Sequence, residues 1–421
     1  MISTKKYFIS VLVIGLVASV AVMLFNLMVD PLDIYRVVKV KGVNAYKTTY
    51  HSYARVAKPL QIERHRYQRL ALGSSRTEIG IPIYGTAWDR MGEPGFNAAL
   101  NGAHISTLSA ILNHAVQVTD LRDVVIGLDF GMFNGEKFER YEYDELLASG
   151  QNPVEAFLRW LKGIGLTLFS PAMTAASVKT LRHQKETDNK YLPTGQQNNE
   201  REIRKNASIG YRTRFEHFEN GSLRDFWTPC RDNAFRYDSG RGYDTMTDFK
   251  QLLLLSREGN FSIHLFISPV HARLLETLSA AGLWPAFEQW KRDIVSVIEE
   301  VRIQTGTDIQ LWDFSGYNRF TVEPFPEPGN FMKYHLDSSH YTEAIGFVML
   351  DTIYGNPKPG ESFGVVLTPD NIETHLQETR RQQDAYRQKN MVQYEEIKAR
   401  AEQFIQKRRL TGRKCTGKPI V

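Results

Sequence analysis

The chain has 421 residues, of which 42% are hydrophobic and 24% charged, values that exclude a disordered chain, a collagen-like repeat and a multi-span membrane protein. At about 150 residues per unit this length fits two to three domains or one large α/β domain with an insertion, and two cysteines, Cys230 and Cys415, exclude a zinc ribbon or disulfide-dense fold while leaving one disulfide or two thiols open. The net charge of +5 is local: residues 371–421 hold 12 Lys+Arg against 6 Asp+Glu, so the first 370 residues carry a formal −1, and the body has no footprint for nucleic acid.

The first element is the uncharged run Tyr7–Val29, YFISVLVIGLVASVAVMLFNLMV, behind Lys5 and Lys6. As a helix it spans roughly 34 Å, enough for a hydrocarbon core of about 30 Å. Ser19-Val20-Ala21 resembles a processing site, but a cleavable leader has an apolar stretch of only about 7–15 residues, and this one continues well past Ala21. Residues 1–30 therefore read as an uncleaved signal anchor or transmembrane helix, and 31–67 as a linker and N-terminal extension. Positive flanks on both sides, including Arg36, Lys39 and Lys41, leave the orientation open.

Short apolar strands then alternate with helical patterns. Arg69–Leu72 stops at Gly73-Ser74-Ser75, and a second short element reaches Phe96-Asn97. Ile105, Leu108, Leu112 and Ala115 mark an amphipathic helix, followed by the nearly continuous apolar run Asp123–Asp129 of a strand buried on both faces. Ile263–Ile267 is another strand, the helix carrying Phe287, Trp290, Ile294 and Val297 follows, then the strand Ile309–Trp312 and a final helix with Ile345, Val348, Met349 and Ile353. This predicts an α/β fold over residues 68–369: a doubly wound open parallel sheet, flavodoxin-like and three-layered. Residues 140–245 interrupt the alternation as an insertion beside or over the sheet, with one helical patch at Ala156–Leu168. Residues 370–421 read as a basic helical tail, its charged surface either solvated or in contact with an anionic membrane or a partner.

In an open α/β sheet, ligands bind outside the carboxyl ends of the strands. Ser74, Ser75, Asn97, Asn101, Asp129, His271 and Asp313 each follow a predicted strand, and Asp337 and His340 precede the last helix. A serine hydroxyl becomes a good nucleophile when an imidazole takes its proton and a carboxylate holds the imidazole in the right tautomer, which an early strand-end serine and a late Asp-x-x-His supply. Arg76 either steers an anionic group or pairs with an acid such as Asp129, and Asn101 and His271 are further candidate substrate contacts. His271, His335, Asp337 and His340 lack a recognisable metal-ligand spacing, so neither a metal nor another cofactor is expected. Tyr211, Phe215, Phe218 and Trp227 either pack or offer faces to sugars.

These residues resemble the blocks of the SGNH/GDSL hydrolase superfamily over roughly 68–135 and 260–355. Gly73-Ser74-Ser75 answers the Gly-Asp-Ser block, Asn97–Ala103 the glycine block, Gly127-Leu128-Asp129 the Gly-x-Asn block, and Asp337-x-x-His340 the last. The resemblance implies Ser75 as nucleophile, His340 as base, Asp337 as its orienting acid, and an oxyanion hole from the backbone of Ser75 and Gly102. Asp129 departs from the pattern: as a carboxylate it repels an oxyanion, so it must be protonated, hydrogen-bonded elsewhere or structural. With the anchor, Asp30-Pro31 and Gly-Ser-Ser-Arg, the chain is similar to membrane-anchored extracytoplasmic acyl-transfer proteins of the teichoic acid D-alanylation and alginate O-acetylation type. That implies a body outside the plasma (inner) membrane, a membrane-bound O-acyltransferase as acyl donor, and a polysaccharide as acceptor. An esterase or deacetylase, and a non-catalytic anchored scaffold, are the alternatives.

Overall fold

The computed structural model describes residues 4–85, 92, 95–135, 146–147, 152–185, 189–226, 235–238, 242–327, 329–355, 360 and 363–410. Cys230, Cys415 and Trp227 lie outside them. In chain order, α1 (Thr4–Val29), α2 (Ala54–His65), β1 (Arg69–Leu72), α3 (Ser75–Gly80), β2 (Gly95–Asn97), α4 (Ile105–Val118) and β3 (Asp123–Leu128) come first. The insertion supplies α5 (Pro153–Ile164), α6 (Pro171–Arg182), α7 (Asn199–Ile209) and α8 (Tyr211–Phe226). Then follow α9 (Thr245–Glu258), β4 (Ser262–Ile267), α10 (Ala272–Ala280), α11 (Trp284–Thr305), β5 (Gln310–Asp313), α12 (Glu343–Ile353), β6 (Val365–Leu367), α13 (Ile372–Lys389) and α14 (Met391–Leu410).

The strands form one sheet in the order β2-β1-β3-β4-β5-β6. All pairs are parallel except β5 with β6. Every residue of β1 and β3 is buried, as continuous apolar strands require when helices cover both faces. The period of two sorts them: Leu70, Leu72, Val124, Ile126 and Leu265 face the core with α2, α4, α9 and α11, while Ala71, Val125 and Phe266 face α12 through Ile345 and Met349. The result is a three-layer α/β body. The chain leaves β1 toward β2 on one side and resumes at β3 on the other, so the strand order reverses between β1 and β3, where a crevice opens beyond their carboxyl ends.

Two expected boundaries differ. Residues 31–67 are not a linker: Leu32, Ile34, Tyr50, Val56, Ala57 and Ile62 are part of the main core. The helix α2 there carries Pro59 in its interior and buries Lys58 and Gln61 beside its apolar residues, so no clean amphipathic period announces it. The described part of the C-terminal segment, to residue 410, is likewise not a solvated tail. It breaks at Asn390 into α13 and α14, with Leu376, Tyr386, Ile397 and Ala401 buried and α14 packed on α10. Its positive charge meets buried acids of the body: Arg387 donates to Glu276 at 2.8 Å, and Arg380 and Arg400 pair with Glu288 and Glu219. A basic segment docks when the surface beneath it holds acids that need partners.

Helix α1 is long and apolar enough to cross a membrane, with a mean hydropathy of 2.8 over its most apolar window. Only Asn26 and Val29 within it are buried. Asn26 anchors its last turns, donating to the Leu168 carbonyl at 2.8 Å and accepting from Ser177 Oγ at 2.8 Å. Thus the apolar helix is tied to the insertion by a buried amide.

Candidate active site

The glycines of the predicted blocks have a local cause. A Cβ on Gly73 would lie 2.1 Å from Thr77 Oγ1, and one on Gly127 2.2 Å from the same atom. Two glycines, one just beyond the end of β1 and one in β3, therefore make room for the first turn of α3. Ser74 caps that helix, its Oγ accepting from the Arg76 N–H at 3.2 Å, so Ser75 becomes the first helical residue. Asn97 Nδ2 holds the other end, donating to the carbonyls of Thr77 at 2.9 Å and Ile81 at 3.0 Å. Beneath α3, Glu78 forms a fully buried pair with Lys58 of α2 at 2.9 Å, and also accepts from Tyr191 and Gln197 of the insertion. The placement of Ser75 is thus fixed from three directions.

Asp337 and His340 sit on the loop leading to α12. Asp337 Oδ1 accepts the backbone N–H groups of Ser339 at 2.8 Å and His340 at 2.9 Å, a local turn that the short Asp side chain favours. The same carboxylate faces His340 Nδ1 at 2.9 and 3.0 Å, and His340 Nε2 lies 2.8 Å from Ser75 Oγ. A ring nitrogen facing a carboxylate carries the proton, so Nε2 presents its lone pair to the serine hydroxyl. Asp337 and His340 are both buried. Phe218 of α8 packs edge-on against the imidazole, with ring centroids 4.8 Å apart. Residues 265 positions apart in the chain thus form a Ser–His–Asp relay.

Ser75 and His340 open into a cavity of about 390 Å³. Asn101 and Gly102 form part of its rim, together with His104, Gly131 and Met132. Gly102 has φ +65°, a left-handed conformation for which glycine is suited. Its N–H and that of Ser75 make no hydrogen bond to the described residues. Asp129 is also in the wall but is engaged. Arg76 Nη1 approaches its Oδ1 at 2.8 Å, off the N–H axis, and Ser74 Oγ donates a short hydrogen bond to its Oδ2. Of the two roles open to Arg76, pairing with Asp129 is the one seen, while its Nε also donates to Ser339 at 3.2 Å. The Arg76 contacts join the serine turn to the histidine loop.

Sequence reasoning missed the opposite wall. His217, Phe218, Gly221, Ser222, Arg224 and Asp225 of α8 all line the cavity, and their spacing of i, i+1, i+4, i+5, i+7 and i+8 describes one helix face. That stripe was present in the sequence, but its mixed polar and aromatic character carries no hydrophobic period, so only Phe218 stood out. Other expected residues lie elsewhere. His271 is buried behind the site as the cap of α10, its Nδ1 accepting from the Arg273 N–H at 3.2 Å and its Nε2 donating to the Glu323 carbonyl at 2.7 Å. It is not a contact of the cavity, and burial holds its pKa well below the ordinary value. Asn97 braces α3. Asp313 is buried with Lys291 at 2.6 Å and His375 at 2.8 Å, tying β5 to α11 and α13. Phe215 and Tyr211 pack in a small apolar cluster with Met332. Among the described residues no group of three or more His, Cys, Asp or Glu side chains is placed to hold a metal ion. The chain matches no family model and no curated protein.

Proposed function

We propose that this protein is a membrane-anchored, serine-dependent acyltransferase of the SGNH/GDSL hydrolase type, which passes an acetyl group through Ser75 to a hydroxyl of a cell-surface or exported polysaccharide. The observation that carries this reading is the relay from Ser75 Oγ to His340 Nε2 at 2.8 Å and from His340 Nδ1 to Asp337 at 2.9 Å. In the first half-reaction Ser75 Oγ attacks the acyl carbonyl as its proton moves to His340 Nε2. Asp337 stabilises the resulting imidazolium. The N–H groups of Ser75 and Gly102 are the donors for the tetrahedral oxyanion, a role in which one donor contributes about 3–4 kcal/mol. The leaving group takes the proton from His340, and acyl-Ser75 remains. An acceptor hydroxyl then gives its proton to His340 and attacks the acyl carbonyl, and the tetrahedral intermediate collapses as His340 passes that proton to Ser75 Oγ, breaking the acyl–Ser75 bond and freeing the O-acylated acceptor. With its carboxylate neutralised by Arg76 and hydrogen-bonded by Ser74, Asp129 is compatible with this chemistry.

A polar second wall from α8 and a tether at α1 support transfer to a bulky acceptor, since a freely diffusing esterase needs no anchor. The donor is then a membrane-bound O-acyltransferase in the plasma membrane, with the body on its extracytoplasmic face. An SGNH-type carbohydrate esterase is the second reading, favoured by the openness of the same cavity to water. The intact relay speaks against a degenerate scaffold. The test compares the acetyl content of surface polysaccharide in cells carrying wild type or Ser75→Ala, alongside mass spectrometry of the protein for acetyl-Ser75. Lost acetylation with an isolable acetyl-Ser75 is expected. Unchanged acetylation would sink the transferase reading, and increased acetylation would establish the esterase instead.

A further inference from the structure

Helix α5 is built inside out. On a helix covering a water-facing domain, apolar residues turn inward and charged ones outward. In α5 the buried positions are Arg159 and Gly163. Arg159 gives its guanidinium to Glu63 of α2 at 3.0 Å, and Gly163 lies so close that an added Cβ would be 3.2 Å from Leu60 Cδ2. The outward face holds Val154, Phe157, Leu158 and Leu161, which are 64%, 56%, 52% and 42% exposed. At 3.6 residues per turn these four fall within an arc of about 100°. Trp160 flanks them, 53% exposed, its ring stacked on Phe157 with centroids 5.8 Å apart.

The position of this face shows what covers it. Helix α5 continues into the turn Gly165–Phe169, whose Leu168 carbonyl accepts the Asn26 amide of α1 and whose Phe169 is again exposed. From Tyr7 to Asn26 the helix rises about 28 Å, close to a hydrocarbon thickness of about 30 Å. Asn26, the first buried polar residue of α1, thus marks the level at which that helix leaves the bilayer, and the end of α5 is fastened at the same level. An outward apolar face with a tryptophan at its flank, fixed where a membrane helix emerges, has the make-up of an interfacial helix.

We propose that α5 lies in the plane of the bilayer surface and inserts Phe157, Leu158 and Leu161, with Trp160, into the boundary between headgroups and acyl chains. This rests on the reading of α1 as a membrane span. Attached both through α1 and through α5, the body is held in one orientation to the lipid rather than swivelling on a single helix. The occupant of the face is lipid, because the face runs through the turn Gly165–Phe169 to the foot of α1, a helix whose apolar side chains are likewise exposed.

The experiment uses the full chain in phosphatidylcholine–phosphatidylglycerol vesicles with bromine near the headgroup end of the acyl chains, comparing wild type with Trp160→Phe. Co-flotation with the vesicles and a quenched component of tryptophan emission that is lost in Trp160→Phe are expected. Equal quenching of the two proteins, with both co-floating, would overturn the α5 proposal while leaving α1 in the membrane. Failure to co-float would overturn the α1 reading and α5 with it. In cells, a photo-cross-linking amino acid at Phe157 should yield lipid adducts. A single protein adduct in their place would overturn lipid as the occupant and identify an embedded partner.

Discussion

The ion pair under α3 couples the stability of the fold to the placement of Ser75, and Lys58→Met exposes that coupling. Lys58 and Glu78 are both fully buried. Burial pushes the Lys58 ammonium below its ordinary pKa, and Glu78 pulls it back up. Methionine fills the same volume without the charge, leaving the Glu78 carboxylate inside the protein without its cation. Removing one partner of a buried pair costs about 3–5 kcal/mol. Glu78 keeps its bonds from Tyr191 at 3.1 Å and Gln197 at 2.6 Å, which places the cost near the lower end, about 3 kcal/mol. The Ala99 carbonyl also loses its bond from Lys58, which adds a smaller penalty of about 1 kcal/mol. At roughly 2 °C per kcal/mol for a large domain, the melting temperature should fall by about 6–8 °C.

The assay is urea unfolding of the full chain in detergent, where the midpoint should drop with an unchanged slope. The double variant Lys58→Met with Glu78→Gln removes the charge as well as its partner. It should recover most of the loss, because a neutral amide can still bond to Tyr191. Labelling of Ser75 by a serine-directed phosphonate should fall in the single variant and return in the double. A midpoint shift worth under about 1 kcal/mol, or a double variant no more stable than the single, would refute the argument that an unpaired buried carboxylate sets the cost.

Gly73→Ala should destabilise the protein by about 2–3 kcal/mol and abolish Ser75 labelling, since the new methyl must displace Thr77 from the turn; a melting curve like that of wild type would show that the turn relaxes freely. Asp337→Asn keeps an oxygen for the backbone N–H groups but turns an amide toward His340 Nδ1, forcing the proton onto Nε2. Turnover should then fall by about 10⁴-fold with little change in melting, and a loss under tenfold would argue against His340 as base. Buried His114, whose Nε2 donates to the Pro59 carbonyl at 3.1 Å, has its pKa lowered by burial from 6.5 to about 4. Its folded form is neutral, so the stability it contributes is complete above about pH 6.5 and is lost as pH falls toward 4, by about 3 kcal/mol. Buried His271 shifts in the same direction. Urea midpoints between pH 7 and 4 should fall steeply in wild type and less so in His114→Gln; equal slopes would exclude His114 as a source.

Periodicity carried the sheet because β1 and β3 are buried throughout and β4 over its last three residues, and the middle of a strand covered by helices on both faces is filled mainly by apolar residues. The same holds for α4, α11 and α12, whose stripes face a single layer. The apolar run of α1 was legible for a similar reason, as it is nearly uniform in chemistry. Ser75, Asp337 and His340 could be picked out singly, being unusual residues at strand and helix ends, yet nothing local brings positions so far apart within 2.8 Å. That proximity comes from the parallel order of the strands, which gathers their carboxyl ends along one edge. The role of Asp129 was undecidable from its neighbours in sequence, because its state depends on Arg76 and Ser74 across the crevice. His271 was misleading since a strand-end position can point its side chain into the site or back under the next helix, and here the cap of α10 takes it. The docking of α13 and α14 depends on buried Glu219, Glu276 and Glu288, acids whose need for partners arises only once the rest of the fold has removed them from water. For α5 the sequence holds an amphipathic pattern, but which face turns inward was decided by Glu63 and Leu60 of α2, because an amphipathic helix has two faces and only its neighbours determine which one meets the protein.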